Sequence, residues 1–329
     1  MADIRLGVIG GGEFMRERAP LLLGATGATI AGVAEPSLEM QQRFGDELYP
    51  EGGGPEFFAD HRALLESAGL DGVVVASPHG LHFEHAADAV AAGCPVLVYK
   101  PMVTTSTDAR GLVELVEKTG HFVSVAMEGI YSAEFRHVRA MLEAGELGDI
   151  QLVTGIVAQD WLANVGGTWR TDPVRGGGGN LIDSGYHMLG ALLHLTGQVP
   201  EEAFAYIERG AQDVDVLVAG SLQFDGGALG AIAVSGNAQG MNENVYLHGS
   251  RKCLNTGVYG ERLEFVTGWS EREVVELPPA ESAEANFVRC LRGEAETLTP
   301  VQLGLELAHV IEAIVRSADE HRPVPVATG

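Results

Sequence analysis

The chain has 329 residues, 46% of them hydrophobic and 20% charged, with a formal net charge of -24 at pH 7. This length predicts two domains, each large enough to bury a core. The negative field excludes nucleic acid and anionic membrane surfaces as favoured partners. No apolar run reaches the roughly 20 residues that span a bilayer.

The first elements alternate. Residues 4 to 10, IRLGVIG, form an apolar run that suits a buried parallel strand. A helix is predicted from Glu13 to about Leu23, with Pro20 expected to shorten or kink it. A strand over Thr29 to Ala34 leads to a helix from Ser37 to Phe44, and residues 49 to 57 read as a loop. Helices follow at Asp60 to Ala68, His79 to Ala92 and Thr107 to Lys118. Strands fall at Gly72 to Ala76, Val96 to Tyr99 and Phe122 to Ala126. Strands and helices in this alternation predict a doubly wound parallel sheet over residues 1–125.

The second half, 126–329, changes character. After a helix near Glu134 to Leu142, strand-like segments dominate: Gln151 to Gln159, Ala203 to Glu208, Val214 to Phe224, Ala228 to Val234, Asn244 to His248 and Leu263 to Val266. Turns such as Asp225-Gly226-Gly227 suit antiparallel neighbours. One helix, Leu181 to Leu195, interrupts the run, and helices close the chain near Ala283 to Leu291 and Pro300 to Ser317. The fold class is therefore α/β: a parallel-sheet domain followed by an α+β domain with a large, mostly antiparallel sheet.

Gly10, Gly11 and Gly12 follow the first strand and open the first helix, with Glu13 and Phe14 next and Met15 at the third-glycine position of a dinucleotide fingerprint. Amides at that helix start would hold a pyrophosphate. Glu35 ends the second strand 23 positions after Gly12, placed to accept from ribose hydroxyls and to repel a 2'-phosphate. No arginine lies in Ala34 to Leu38, so NAD is predicted over NADP. Ser77, Pro78, His79 and His82 follow the fourth strand, at the strand ends where ligands bind in open α/β sheets. The three-residue spacing of His79, His82 and His85 turns away from a single helix face, and no metal site is predicted. Lys100, one of three lysines, stands before Pro101 at the mouth of the fifth strand.

In RGGGGNLIDSGYHMLGALLHL (Arg175 to Leu195), Asp183 and His187 stand four apart. On one helix they would share a face as an acid–base pair. Trp169 and Arg170 precede the glycine run as candidate pocket walls, with Trp161, Tyr131 and Asn180 as further pocket candidates.

These motifs in this order, across essentially the whole chain, resemble the Gfo/Idh/MocA oxidoreductases, which include glucose-fructose oxidoreductase and inositol dehydrogenase. The resemblance implies a Rossmann domain and a second domain whose sheet carries the contact of a homodimer or homotetramer. It implies a nicotinamide cofactor and a sugar, polyol or related hydroxyl substrate. It implies catalytic roles for Lys100, Asp183 and His187, cofactor contacts that extend to Lys100 and Glu128, and a substrate site that includes Trp169 and Arg170. On that reading His187 takes the hydroxyl proton, Lys100 stabilises the developing alkoxide, and Asp183 orients both. The chain departs from the family pattern at Met15, at Tyr99 in place of glutamate, at His79 in place of asparagine, and in lacking an arginine over Met127 to Tyr131. The same residues would serve a redox-neutral enzyme that recycles its NAD. A nucleotide-binding regulator without chemistry is the third reading.

Cys94, Cys253 and Cys290 are far apart, with no CxxC, which predicts no disulfide framework, no structural zinc and a reducing compartment. The opening MADIRLGVIGGG lacks the pattern of a signal peptide, so a cytoplasmic protein is expected.

Overall fold

Apolar four- to six-residue runs build the first sheet. In the computed structural model, which describes residues 3–25, 27–67, 69–211, 213–266, 272–275, 277 and 280–328, strands β1 (Ile4–Ile9), β2 (Ala28–Ala34), β3 (Glu56–Phe58), β4 (Gly72–Val75), β5 (Val96–Tyr99) and β6 (Val123–Ala126) pair in the order β3-β2-β1-β4-β5-β6. Every pairing is parallel. All residues of β4, β5 and β6 are buried, because crossover helices cover both faces of such a sheet. The helices are α1 (Glu13–Gly24), α2 (Leu38–Leu48), α3 (His61–Glu66), α4 (His82–Ala91) and α5 (Ser106–Thr119). Three local expectations change. Helix α1 runs through Pro20 to Gly24, so the proline does not end it. The stretch read as a loop ends in strand β3, which pairs with β2. The helix expected from His79 begins as a 3-10 turn, His79–Leu81, and becomes α-helical at His82. Ala68, the last position of the helix expected from Asp60, lies outside the described residues.

The chain divides into two units, Met1–Ala126 with Ser282–Gly304, and Met127–Glu281 with Leu305–Gly329. The returning segment is bound to the first unit by local chemistry. It carries α11 (Ala283–Leu291), whose Phe287 ring lies edge-on to Phe122 at 5.7 Å. The Val125 N–H donates to the Thr299 carbonyl at 2.9 Å, and the hydroxyls of Ser124 and Thr297 bond to each other.

The second unit holds a nine-stranded sheet. Its strands are β7 (Ile150–Ala158), β8 (Pro200–Arg209), β9 (Asp215–Phe224), β10 (Leu229–Ser235), β11 (Asn242–Gly249), β12 (Cys253–Gly257), β13 (Gly260–Val266), β14 (Arg272–Val274) and β15 (Val324–Pro325). Their order is β14-β13-β12-β11-β7-β10-β9-β8-β15, and only β7 and β10 run parallel. Helices α6 (Glu128–Tyr131), α7 (Ala133–Glu143), α8 (Trp161–Val165) and the α9–α10 pair described next precede or interrupt these strands. The last helix, α12 (Val301–Glu320), leads into β15.

The single helix expected over Leu181 to Leu195 is two: α9 (Asn180–Asp183) and α10 (Gly185–Thr196). The hydrogen-bond ladder changes at the join. Asp183 and Ser184 donate four residues back, to Gly179 and Asn180, whereas His187 donates three back, to Ser184. Helix α10 lies on one face of the sheet, where Gly155 of β7 has no side chain and a Cβ would meet Met188 at 2.6 Å.

Candidate active site

The first unit carries the glycine turn. Gly10 adopts φ 98°, and a Cβ there would lie 2.7 Å from the Ala76 carbonyl oxygen, so the ends of β1 and β4 approach only because this residue is glycine. Gly12 caps α1 with no side-chain bond, and a Cβ on it would meet nothing within 4 Å. A helix start with free amides beside open space fits a phosphate group. Glu35 is held at both oxygens: the Gly11 N–H donates to Oε2 at 3.0 Å and the Ser37 N–H to Oε1 at 2.9 Å. The carboxylate is thereby fixed beside the glycine turn, as a ribose acceptor must be. Glu13 stands exposed in the first turn of α1, and Phe14 meets the Tyr99 ring edge-on at 4.9 Å. Met15, in place of the third glycine, is fully buried.

At the mouths of β4 and β5, Ser77 and His79 are buried and Lys100 is half-buried. The Lys100-Pro101 peptide is cis. Ser77 Oγ bonds to His85 Nδ1 at 2.8 Å, and burial lowers the His85 pKa to about 4. His82, expected among the cofactor contacts, is 1% exposed, and both its ring nitrogens meet backbone carbonyls. Tyr99 donates to Glu284 Oε1 at 2.7 Å, and Arg18 pairs with the same oxygen at 2.7 Å. Burial, then the Glu284 charge, holds the Tyr99 phenol well above its usual range. One group among the described residues has metal-ligand spacing, namely His61, Glu84 and Asp88. Arg62 already sits on both carboxylates, 2.6 Å from Glu84 and 3.0 Å from Asp88, so this is an ion-pair network.

The second unit carries a polar cluster around the α9–α10 join. The Trp161 indole donates to Asp183 Oδ2 at 2.8 Å, and Arg170 pairs with Oδ1 at 2.9 Å. The Arg170 guanidinium also lies over the Trp169 ring, 4.7 Å from its centre. His187 is 7% exposed, its Nδ1 stands 3.8 Å from Glu128 Oε2, and its ring lies 4.6 Å from that of Tyr259. Glu128, expected with the nucleotide residues, thus stands on α6 of the second unit as a neighbour of the histidine. Tyr131 is fully buried in that unit. Asn180 is fully buried, and neither atom of its amide has a hydrogen-bond partner.

The glycine run is shaped by Asp215. Its Oδ1 accepts from the Leu181 N–H at 2.6 Å, in place of an N-cap side chain, and a Cβ on Gly179 would lie 2.4 Å from the Asp215 carbonyl oxygen. Burial raises the Asp215 carboxyl to about 6 against the pull of backbone N–H bonds.

Four residues of this cluster escaped the sequence reading. Ser184 donates to Gln159 Oε1 at 2.8 Å, and Gln159 donates in turn to Glu243. Tyr259 stands between β12 and β13. Burial, and then the charges of Glu243, Glu128, Asp183 and Glu261, raise its phenol, so it remains a donor. The available signal for Tyr259 is an aromatic residue in a glycine-flanked turn, Gly257 to Gly260, which reads equally well as packing.

Comparison with known proteins agrees with this division. Residues 4–127 match the oxidoreductase family with an NAD-binding Rossmann fold, and residues 135–255 match the GFO/IDH/MocA C-terminal domain. The rhizopine catabolism protein MocA of Rhizobium meliloti is 28% identical over 200 residues, 61% of this chain and 59% of that protein. The D-glucoside 3-dehydrogenase of Escherichia coli K12 is 26% identical over 197 residues, 60% of this chain and 55% of that protein. The chain thus spans less than three fifths of the length of these two relatives. A solved levoglucosan dehydrogenase in complex with NADH has the same fold, with TM-score 0.88 and 20% identity over 99% of this chain and 100% of that one. No helix among the described residues is long and apolar enough to cross a membrane.

Proposed function

The chain belongs to the GFO/IDH/MocA family of NAD-binding oxidoreductases, and from that premise we propose that it is an NAD-dependent dehydrogenase or reductase acting on a hydroxyl-bearing carbon of a sugar, polyol or glycoside. The observation that carries the reading is His187, buried 3.8 Å from Glu128 and beside Tyr259. A carboxylate at that distance can balance the charge that the ring gains when it takes a proton from substrate.

His187 removes the proton from the substrate hydroxyl in oxidation and returns it in reduction. The Lys100 ammonium donates to the reacting oxygen and stabilises its developing charge. Asp183, fixed by Trp161 and Arg170, balances the local charge. Trp169 and Arg170 supply an apolar wall and a donor to the substrate. The nicotinamide, when bound, supplies the two-electron carrier. Gly10, Gly11, Gly12, Glu13 and Phe14 hold the pyrophosphate end, Ser77, Pro78 and His79 line the nicotinamide end, and Glu35 selects NAD over NADP. The names of the relatives, a glucoside dehydrogenase and a levoglucosan dehydrogenase bound to NADH, support a carbohydrate substrate.

The protein acts in the cytoplasm, a compartment that suits Cys94, Cys253 and Cys290, none of which is in a disulfide. It works as a homo-oligomer joined through the sheet of the second unit. On the sheet face that carries alternate residues of β7, Leu152 pairs with Leu229 and Tyr246 with Thr154, and Tyr206 is 67% exposed. Such an exposed apolar face fits a partner surface. A mass of one chain by light scattering would end that part of the reading.

The test is turnover of a sugar, polyol and glycoside panel with substoichiometric NAD+, following NADH by absorbance and products by mass spectrometry. Oxidised product equal to NADH supports the dehydrogenase. Product in excess of cofactor with little NADH replaces it with the redox-neutral enzyme. NADH binding without turnover of any panel member favours the regulator.

A further inference from the structure

His82 has an unusual pair of acceptors. Its Nδ1 lies 2.7 Å from the Pro101 carbonyl oxygen, and its Nε2 lies 2.7 Å from the Ser77 carbonyl oxygen. A carbonyl oxygen only accepts, so both ring nitrogens must donate. A neutral imidazole donates from one nitrogen alone and would set the lone pair of the other against an oxygen at hydrogen-bond distance. The imidazolium donates from both. The ring is 1% exposed, and water does not compete for either bond. Two satisfied N–H groups offset part of the cost of burying this cation.

The two carbonyls belong to different segments. Ser77 follows β4 and Pro101 follows β5, directly after Lys100. We propose that His82 is held as an imidazolium at neutral pH and clamps the turn after β4 to the Lys100-Pro101 turn, positioning Lys100 for the reacting oxygen. His82 is then a positioning residue with no contact of its own to substrate. The placement of Lys100 rests on the function proposed above; the charge on His82 does not. Titratable groups near the ring include His79, whose ring stands edge-on at 5.6 Å, and His85 on the same helix, whose pKa is lowered to about 4 by burial, His61 and His82. Glu84 and Asp88 are the carboxylates of α4, and both are engaged by Arg62.

The charge is read directly by heteronuclear NMR of protein labelled at histidine nitrogen, at pH 7.5 and without cofactor. The expected spectrum holds an imidazolium, with both nitrogens protonated, that disappears in His82→Gln. If that variant does not fold, an imidazolium signal that persists when each of the other ten histidines is replaced in turn by glutamine is that of His82. A neutral His82 overturns the clamp and leaves the reading of Lys100 intact.

Position is read by kinetics. A glutamine carries its donors on one atom and holds one carbonyl, so kcat of folded His82→Gln should fall by about 10- to 100-fold, the scale of a small misplacement of a catalytic group. The wild-type rate should also fall on the alkaline side with the midpoint at which the imidazolium signal titrates, and that limb should be missing in His82→Gln. Unchanged kcat and pH profile in the folded variant would refute the positioning role. Full turnover in Lys100→Met, with the imidazolium signal present, would overturn the reading of Lys100 alone.

Discussion

Replacing Asp215 by asparagine should stabilise this protein at neutral pH and not at acid pH. The carboxyl is 8% exposed and caps the start of α9 through the Leu181 N–H. Burial raises it to about 6 from 3.8, so the folded state holds a proton that the unfolded state has lost. A raised acid contributes stability that is complete below the unfolded value. That contribution is lost as pH climbs through the window between the two. A shift of about two units corresponds to roughly 3 kcal/mol at about 1.4 kcal/mol per unit. The asparagine would keep an acceptor for Leu181 and never ionise. The stability difference between Asp215→Asn and wild type should therefore grow in favour of the variant by up to about 3 kcal/mol between pH 4 and pH 7, and then level off. Urea unfolding of both proteins at each pH measures it. The comparison cancels the large pH response expected of a chain with net charge -24. A difference that stays constant with pH, or that turns against the variant as pH rises, would refute the reasoning.

His187→Ala should lower kcat by about 100- to 10,000-fold, the usual contribution of a general base, with NADH binding retained in a fluorescence titration. Lys100→Met should likewise lower kcat with NADH affinity retained; a folded variant of either kind with full turnover removes that residue from the chemistry. Glu35→Ala combined with Pro36→Arg should shift the NAD/NADP preference by about 10- to 100-fold toward NADP, since charge-assisted bonds to the ribose are lost and a phosphate partner is gained. Unchanged discrimination in kcat/KM would sink the ribose role of Glu35.

Much of the first unit is legible in the sequence, because its strands are buried on both faces and read as apolar runs: VLVY at Val96–Tyr99 is the strand itself. Strand β12, Cys253–Gly257, is not legible. Its sequence CLNTG buries Asn255 and Thr256, and it is a strand because β11 and β13 flank it and take its backbone bonds. The spacing of Asp183 and His187 is visible in the sequence, but it puts both on one helix face only where the ladder is unbroken. The change at Ser184–Gly185 places the pair across a join, with Trp161 and Arg170 at the aspartate and Glu128 and Tyr259 at the histidine. Those partners come from other segments of the chain, and periodicity carries no information about them. The glycine run shows the same limit, since its shape depends on Asp215, more than thirty residues later.

The segment Ser282–Gly304 gives the protein a particular history during synthesis. All six strands of the first sheet have been synthesised by Ala126, yet the residues that bond to Ser124 and Val125 and that pair with Arg18 are made only after the whole nine-stranded sheet except β15. Strand β15, which pairs with β8, comes later still. Neither unit is therefore finished until the final tenth or so of the chain is translated. A fragment cut at residue 126 would be an open half-product, and a nonsense mutation anywhere before α11 would leave both units incomplete.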